Sequence, residues 1–486
     1  MNILFIYTTR DCLTATSPLY SLGDIHIGIS YLSGYCKSLG HKTRLVVAGS
    51  DTMAASEQLV LSAVSEFSPD IVAFTSVSTQ FHFVCALAEK IKLQAPGAFL
   101  LVGGAHTSLN PESSIASPFH AICIGEGEHP LGELAAQLEK GLVPSGIPNL
   151  WIKGKQGTVE KNAPRDFTQD LDALPFPDRA MWAPWIHESP ARFQVVLPSR
   201  GCPFSCTYCC NHALKRIAGG KYVRFRSPAN ILDEIRAIMS EYPKTTDIYL
   251  QSETIAVKKV WMDELCDLLA IYNEALPVKI DFTTNFRVAP KAVDASVFAA
   301  LKKANIRTIE IGLESGSERV RREVLKRNYS NEDFYRAVSL ARENGMRVNV
   351  YNMIGFPGET LEEHMETVEV NRTICPDRSN TSIFFPYPGT ELHEVCKSQG
   401  LVSEETAFTS ERVVAFLDLP TFSKADIQHS FEWFPYRIYK GHKSLLFRLR
   451  KVVAAKVAGH PWLRVRFRAL LPAWQIVKKG LLSDLQ

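Results

Sequence analysis

Nowhere in the 486 residues do about 18 uncharged apolar residues run together, so no membrane-spanning helix is expected. The opening MNILFIYTTRD lacks a basic n-region, and its apolar run is too short for a secretory signal. The expected compartment is therefore the cytosol (cytoplasmic, with thiols reduced), and the 11 cysteines are not read as disulfides. No G-x-G-x-x-G follows the first apolar run, which weakens a dinucleotide reading. Between Trp433 and Ser483 there is no Asp or Glu at all.

What is present is the composition of a globular chain, 46% apolar and 22% charged, long enough for about two to four domains. Residues 1–141 alternate short apolar runs (NILFIYT, TRLVVAG, DIVAFTSV, AFLLVGG, AICIG) with helical patterns. That alternation predicts an α/β fold, a doubly wound parallel sheet covered on both faces. Ligands of such sheets bind beyond the carboxyl ends of the strands. Those ends carry Ser76, Ser78 and Thr79, then Gly103, Gly104 and His106, then Gly125 and Glu126. Residues 142–190 hold seven prolines and read as an extended linker whose Trp182 and Trp185 pack on a domain. Over 191–400 six strand and helix units follow (FQVVL, DIYLQ, VKIDFTTN, TIEIGL, VNVYNMI, SIFFPY), which suits a partial barrel with its site at the C-terminal strand ends. Ser227-Pro228 marks a helix start within it. Residues 401–486 form a helical, basic C-terminal segment.

Directly after FQVVL stands SRGCPFSCTYCCNH, with Cys202, Cys206 and Cys209 spaced C-x3-C-x2-C and Cys210 adjacent. Thiolates select zinc or iron–sulfur clusters. A closed zinc site wants four ligands, for which His212 or Cys210 would have to complete the set. A cubane cluster held by three cysteines keeps one iron open to another ligand. The other cysteines read as small buried apolar side chains.

With these cysteines the sequence resembles the radical S-adenosylmethionine (SAM) enzymes, and over nearly residues 1–400 it resembles their cobalamin-binding branch, class B methyltransferase-like. The phrases that carry the resemblance are PDIVAFTSVS, LLVGGAHTS, IGEGEHPLGEL, LPFPDR, RGCPFSCTYC, IEIGLESGSERV, MIGFPGET and FPYPGTEL. The resemblance implies a Rossmann-like cobalamin domain followed by a partial (β/α)6 barrel. It implies a [4Fe–4S] cluster on Cys202, Cys206 and Cys209, whose open iron takes the amino and carboxylate groups of SAM. It implies cleavage of SAM to a 5′-deoxyadenosyl radical and methylation of an unactivated carbon by way of methylcobalamin. An electron donor such as flavodoxin or ferredoxin is implied as partner. By the same resemblance Tyr208, Glu314, Ser315, Met353 and Gly355 contact SAM. The strand-end residues Ser76, Ser78, Thr79, Gly103, Gly104, His106, Gly125 and Glu126 face cobalamin. Glu314 also reads as a cap on the helix beginning near Ser317. Arg287 reads as a carboxylate clamp or an ordinary salt bridge. His26, in Asp24-Ile25-His26-Ile27-Gly28, reads as a cobalt ligand or as the loop before a helix. The branch also contains cyclases and ring-rearranging enzymes. A regulatory protein binding cobalamin or metal is the alternative from another class.

The acid-free tail holds 12 Lys and Arg, leaving 42 basic against 51 acidic residues elsewhere. Bulky apolar residues such as Leu445, Leu446, Leu449, Trp462 and Trp474 interleave with them. This pattern suits a helix in an anionic membrane interface, peripheral on the cytoplasmic face, and points to a small, lipid-like substrate. A helix docked on the barrel is the alternative. No nucleic-acid recognition module accompanies the charge.

Overall fold

The computed structural model describes residues 1–10, 12, 18–19, 24–154, 157–186, 192–402 and 411–460. The chain resolves into two compact units, 1–204 with 210–253 and 274–281, and 205–209 with 254–273 and 282 onward.

The first unit opens with β1 (Asn2–Thr9), α1 (Ile27–Ser38), β2 (Lys42–Gly49), α2 (Met53–Phe67), β3 (Ile71–Thr75), α3 (Phe81–Gln94), β4 (Phe99–Gly103), α4 (Ala105–Leu109), α5 (Pro111–Ala116), β5 (Ala121–Cys123) and α6 (Glu128–Glu139). The strands run β2-β1-β3-β4-β5, all parallel. Alternate residues of each strand enter different cores. Ile3 and Phe5 pack with Leu45, Val47, Ile71 and Ala73 on one face. Leu4 and Ile6 pack with Val46, Val72, Phe74 and Leu100 on the other. Burial on both faces is why these strands are apolar without alternation.

Two strands lie inside the expected linker. β6 (Leu150–Lys153) pairs antiparallel with β5, and β7 (Val159–Lys161) with β6, completing a seven-stranded sheet. LWIK and VEK are too short and too polar to register as doubly covered strands, and edge strands are allowed that character. The rest of the segment is extended and packed. Trp182 is fully buried, and its indole N–H donates to Ser30 Oγ at 2.7 Å. Ser33 Oγ donates to Asp178 at 2.6 Å.

β8 (Phe193–Val196), the short pair β9 (Ser199–Arg200) and β10 (Arg224–Phe225), α7 (Asn211–Leu214), α8 (Pro228–Glu241) and β11 (Asp247–Leu250) finish this unit. Ser227 caps α8 by accepting from Asn230 N–H, with Pro228 in its first turn. Glu234 of α8, wholly buried, is paired with both Arg179 and Arg226.

The second unit carries α9 (Lys259–Glu274), β12 (Asp281–Phe286), α10 (Ala295–Lys303), β13 (Ile306–Glu314), α11 (Asn331–Glu343), β14 (Arg347–Ile354), α12 (Leu361–Ile374), β15 (Arg378–Ile383), α13 (Glu391–Ser398), α14 (Lys424–Ile438) and α15 (Leu445–Gly459). β12 to β15 pair in parallel, and the barrel strands are ordered β15-β14-β13-β12-β11-β8. Capping boxes start α11 (Ser330 with Asp333) and α12 (Thr360 with Glu363). The last strand is RSNTSI, four residues before the expected SIFFPY. As the edge of the sheet it is polar, and Phe384 and Phe385 enter the core beyond its end.

Candidate functional site

The cysteine loop leaves the barrel's first strand through Gly201, whose φ of +84° and contact with the Tyr222 carbonyl leave no room for a Cβ. All three cysteines are reduced; Cys206 is buried and Cys202 and Cys209 half-buried. Cys209 N–H donates to the Cys206 carbonyl at 3.1 Å. Thr207 fixes the loop from both sides, its hydroxyl donating to the Val324 carbonyl at 2.6 Å and its own carbonyl accepting from Leu392 N–H at 3.1 Å. Among the described residues no three His, Cys, Asp or Glu side chains converge at the spacing of one metal ion. Three thiolate donors match a cubane cluster that keeps one iron open, whereas a closed zinc site would need a fourth ligand. Cys210 lies at the start of α7, where its carbonyl accepts from Ala213 and Leu214 N–H.

A charged network occupies the barrel strand ends. Glu314 closes β13 with φ of +63°, uncommon for a residue with a side chain. Its carboxylate takes Arg327 Nη1 at 3.2 Å; the same nitrogen donates to Tyr208 Oη at 3.0 Å, and Nη2 to the Gly312 carbonyl at 2.6 Å. Burial, then the Glu314 carboxylate, push the Tyr208 phenol well above its usual range. Arg327 thus joins two expected SAM residues, Tyr208 and Glu314. Glu314 does not cap a helix: Ser317 N–H goes to Ser315 Oγ at 3.2 Å. Ser315 is wholly buried in that turn, its oxygen also near Thr367 Oγ1 at 3.5 Å. Tyr208 and Met353 pack against the same apolar cluster around Phe356. Gly355, at φ +87°, donates its N–H to Glu359 at 2.6 Å, and Phe356 N–H donates to the same oxygen at 3.1 Å. Arg287, following β12, places Nη1 2.9 Å from Cys206 Sγ, a contact the sequence did not suggest.

The strand ends of the first sheet are built differently. Gly104 adopts φ +101°, and a Cβ there would sit 2.8 Å from the Ser76 carbonyl oxygen. Gly125 N–H donates to Ser108 Oγ at 3.0 Å. Ser76 is buried, 3.3 Å from Thr107 Oγ1. Ser78 Oγ meets His106 Nδ1 at 3.0 Å, and the Phe81 ring lies tilted against the imidazole with centroids 4.2 Å apart. Burial lowers the His106 pKa to about 4. His106 Nε2 and Thr79 Oγ1 are buried with no protein partner. Orphaned polar atoms beside a tight glycine turn fit a cofactor with amide side chains. Glu126 does not join them. It binds Arg200 at 3.1 Å, Arg224 at 2.9 Å and Thr168 N–H at 2.8 Å, and Glu128 holds Arg200 at 2.6 Å. These pairs tie the β5 loop to the strand that enters the cysteine loop. Burial raises the Glu126 pKa, but Arg200 and Arg224 outweigh it and hold the carboxyl low.

His26 caps α1, its Nδ1 accepting from Ile29 N–H at 3.2 Å. An accepting Nδ1 places the ring proton on Nε2, which is the wrong tautomer for a metal bond there.

Two residues escaped the sequence reading. Arg327 stands in LKRNYS, where only its closeness to the ESGS phrase signals it. Glu253 follows β11, exposed, and its side chain bonds to Asn211. An acid directly after an apolar strand was the available signal.

Comparison with known proteins matches two family models, the Radical SAM superfamily over residues 196–370 and the B12 binding domain over 21–135. An uncharacterized methyltransferase of Pyrococcus horikoshii is 27% identical over 379 residues, 77% of this chain and 79% of that protein. The anaerobic magnesium-protoporphyrin IX monomethyl ester cyclase of Rubrivivax gelatinosus is 24% identical, covering 81% and 70%. Among solved structures, the radical SAM methyltransferase TsrM of Kitasatospora setae, with cobalamin and a [4Fe-4S] cluster bound, aligns over both whole chains with TM-score 0.67 at 15% identity.

Proposed function

The chain belongs to the cobalamin-binding radical SAM enzymes, with a [4Fe–4S] cluster, SAM and cobalamin as cofactors, and on that premise we propose that it methylates an unactivated carbon of a small substrate. One observation carries the reading. Helix α4, which holds His106 at the cobalamin-side strand ends, packs against α7, the helix that follows the cysteine loop. That contact ties the helix carrying His106 to the helix that begins directly after Cys209 and Cys210, and so supports a methyl donor serving the chemistry of the cysteine loop.

When bound, the cluster and SAM supply the hydrogen-abstracting radical and cobalamin supplies the methyl group. The chain's own task is to hold them. Cys202, Cys206 and Cys209 ligate the cluster, leaving Cys210 to start α7. Glu314, buried and balanced by Arg327, is a carboxylate suited to the SAM ammonium. Met353 and Gly355, set by the Glu359 turn, flank the adenine. Gly103, Gly104, Ser78, Thr79 and His106 receive cobalamin, with His106 neutral. A flavodoxin- or ferredoxin-like donor delivers the electron. The test is product mass. With the protein, SAM and a reductant, the metabolite that accumulates in a gene-deletion strain should gain one methyl group. A product cyclised without that gain would favour the cyclase.

The tail supports peripheral membrane attachment. Among the described residues no helix is long and apolar enough to cross a membrane. On α15, Leu445, Leu446, Leu449 and Val453 lie within one arc of about 100° and are 55%, 69%, 41% and 53% exposed. Arg450 lies beside that stripe, while Lys456 sits over the Trp433 ring of α14 at 5.8 Å. The remainder of the basic stretch, 461–483, lies outside the described residues. Full-length protein should sediment with anionic vesicles, and the double variant Leu446→Glu, Leu449→Glu should not. Equal sedimentation would remove the membrane and leave α15 as a cap on α14.

A further inference from the structure

Two of the guanidinium groups at the barrel strand ends make different contacts. Arg327 faces a carboxylate, Glu314, at 3.2 Å, so its charge is balanced within the network. Arg287 directs Nη1 at Cys206 Sγ, 2.9 Å away. Cys206 is only 6% exposed, so solvent screens this contact little. A cation donating to sulfur stabilises the more negative state of whatever that sulfur holds, and hydrogen bonds to ligand sulfurs help set cluster potentials.

We propose that Arg287 is a positioning residue of the cluster that raises its reduction potential through the charged N–H···S contact with Cys206. This rests on Cys206 being a cluster ligand. The mechanism is electrostatic. Reduction adds one electron to the cluster, and a fixed positive charge against one ligand favours the reduced form. A weak biological donor of the flavodoxin type can then reduce it. The fork geometry matters as well as the charge, because a lysine ammonium at the end of a flexible stem is a hydrated point charge. Packing alone would be served by a side chain of similar volume and no charge.

The experiment is an EPR-monitored redox titration of the anaerobically reconstituted full chain, without SAM, with iron counted per chain. Wild type, Arg287→Lys and Arg287→Met are compared. Arg287→Met should keep its iron, yet at a fixed potential its ratio of reduced to oxidised cluster should fall at least tenfold, 59 mV for one electron. Arg287→Lys should lie between. An unchanged midpoint in Arg287→Met would overturn the proposal; if SAM affinity alone fell in that variant, Arg287 would be the SAM carboxylate clamp instead. Should Arg287→Met fail to assemble a cluster, the lysine variant decides, and a wild-type midpoint there overturns the proposal. Cys206→Ala separates the premise: retention of all the iron in that variant would sink the ligand assignment itself, whereas an unmoved midpoint in the arginine variants leaves it standing.

Discussion

The strand ends of the first sheet and those of the barrel do the same topological job with opposite chemistry. Around Gly104 and His106 the groups are neutral: hydroxyls, backbone amides and an imidazole that burial keeps uncharged. Around Cys206 and Tyr208 the groups are ions: Arg287, Arg327 and Glu314. A large cofactor read by its amides needs shape and unpartnered hydrogen-bond groups. A cluster that gains an electron and a zwitterionic cosubstrate need fixed charges. A charged cluster of the first region, Glu126 and Glu128 with Arg200 and Arg224, is consumed by internal pairing and serves as a joint.

The contrast can be broken most severely at the thiolates. Cys202→Ala, Cys206→Ala and Cys209→Ala should each abolish SAM cleavage and the brown colour of about four irons and sulfides per chain, while Cys210→Ala keeps both. Loss in Cys210→Ala equal to that in Cys209→Ala would misplace a ligand.

Next in size is the buried pair. Arg327→Met strands Glu314 in a largely buried site and should cost about 3–5 kcal/mol in urea unfolding, with SAM binding lost; the double variant with Glu314→Gln should recover much of the stability. A single variant as stable as wild type would make the network ornamental.

In the neutral region, Gly104→Ala forces a Cβ against Ser76 at a positive φ and should weaken hydroxocobalamin uptake about tenfold, at a stability cost of about 1–3 kcal/mol. Uptake at the wild-type level would remove the cobalamin assignment from this turn.

A smaller effect tests the Gly355 turn. Burial raises the Glu359 pKa to about 8, outweighing its two N–H donors. Its folded-state value lies above the unfolded one, so its stabilisation is full below the ordinary 4.5 and fades as pH rises through about 8. Wild type should lose stability over that window more steeply than Glu359→Gln. Parallel curves would contradict it.

The smallest change is expected from His26→Ala, which removes a helix cap worth about 1 kcal/mol and leaves cobalamin uptake intact. A large loss of uptake would restore His26 as a cobalt ligand.

The doubly wound sheet and five of the six barrel strands were legible because apolar runs buried on both faces announce themselves, and the cysteine loop because its spacing is rare. β6, β7 and β15 were not, since edge strands satisfy few of the same constraints. Strand-end positions identified which loops matter but not which side chains are free for a ligand. Glu126 and Ser315 sit in matching phrases, yet internal hydrogen bonds absorb them. Arg327 and Arg287 act through residues 119 and 81 positions away in sequence, a pairing no local pattern encodes.

The central claim, methyl transfer by way of both cofactor sites, is tested most directly with methyl-labelled SAM. The reconstituted enzyme, cobalamin, a reductant and small-molecule extract from a gene-deletion strain are combined without oxygen. The account predicts a product heavier by one labelled methyl group, with S-adenosylhomocysteine and 5′-deoxyadenosine formed together. Formation of 5′-deoxyadenosine with an unlabelled product and no S-adenosylhomocysteine would contradict it.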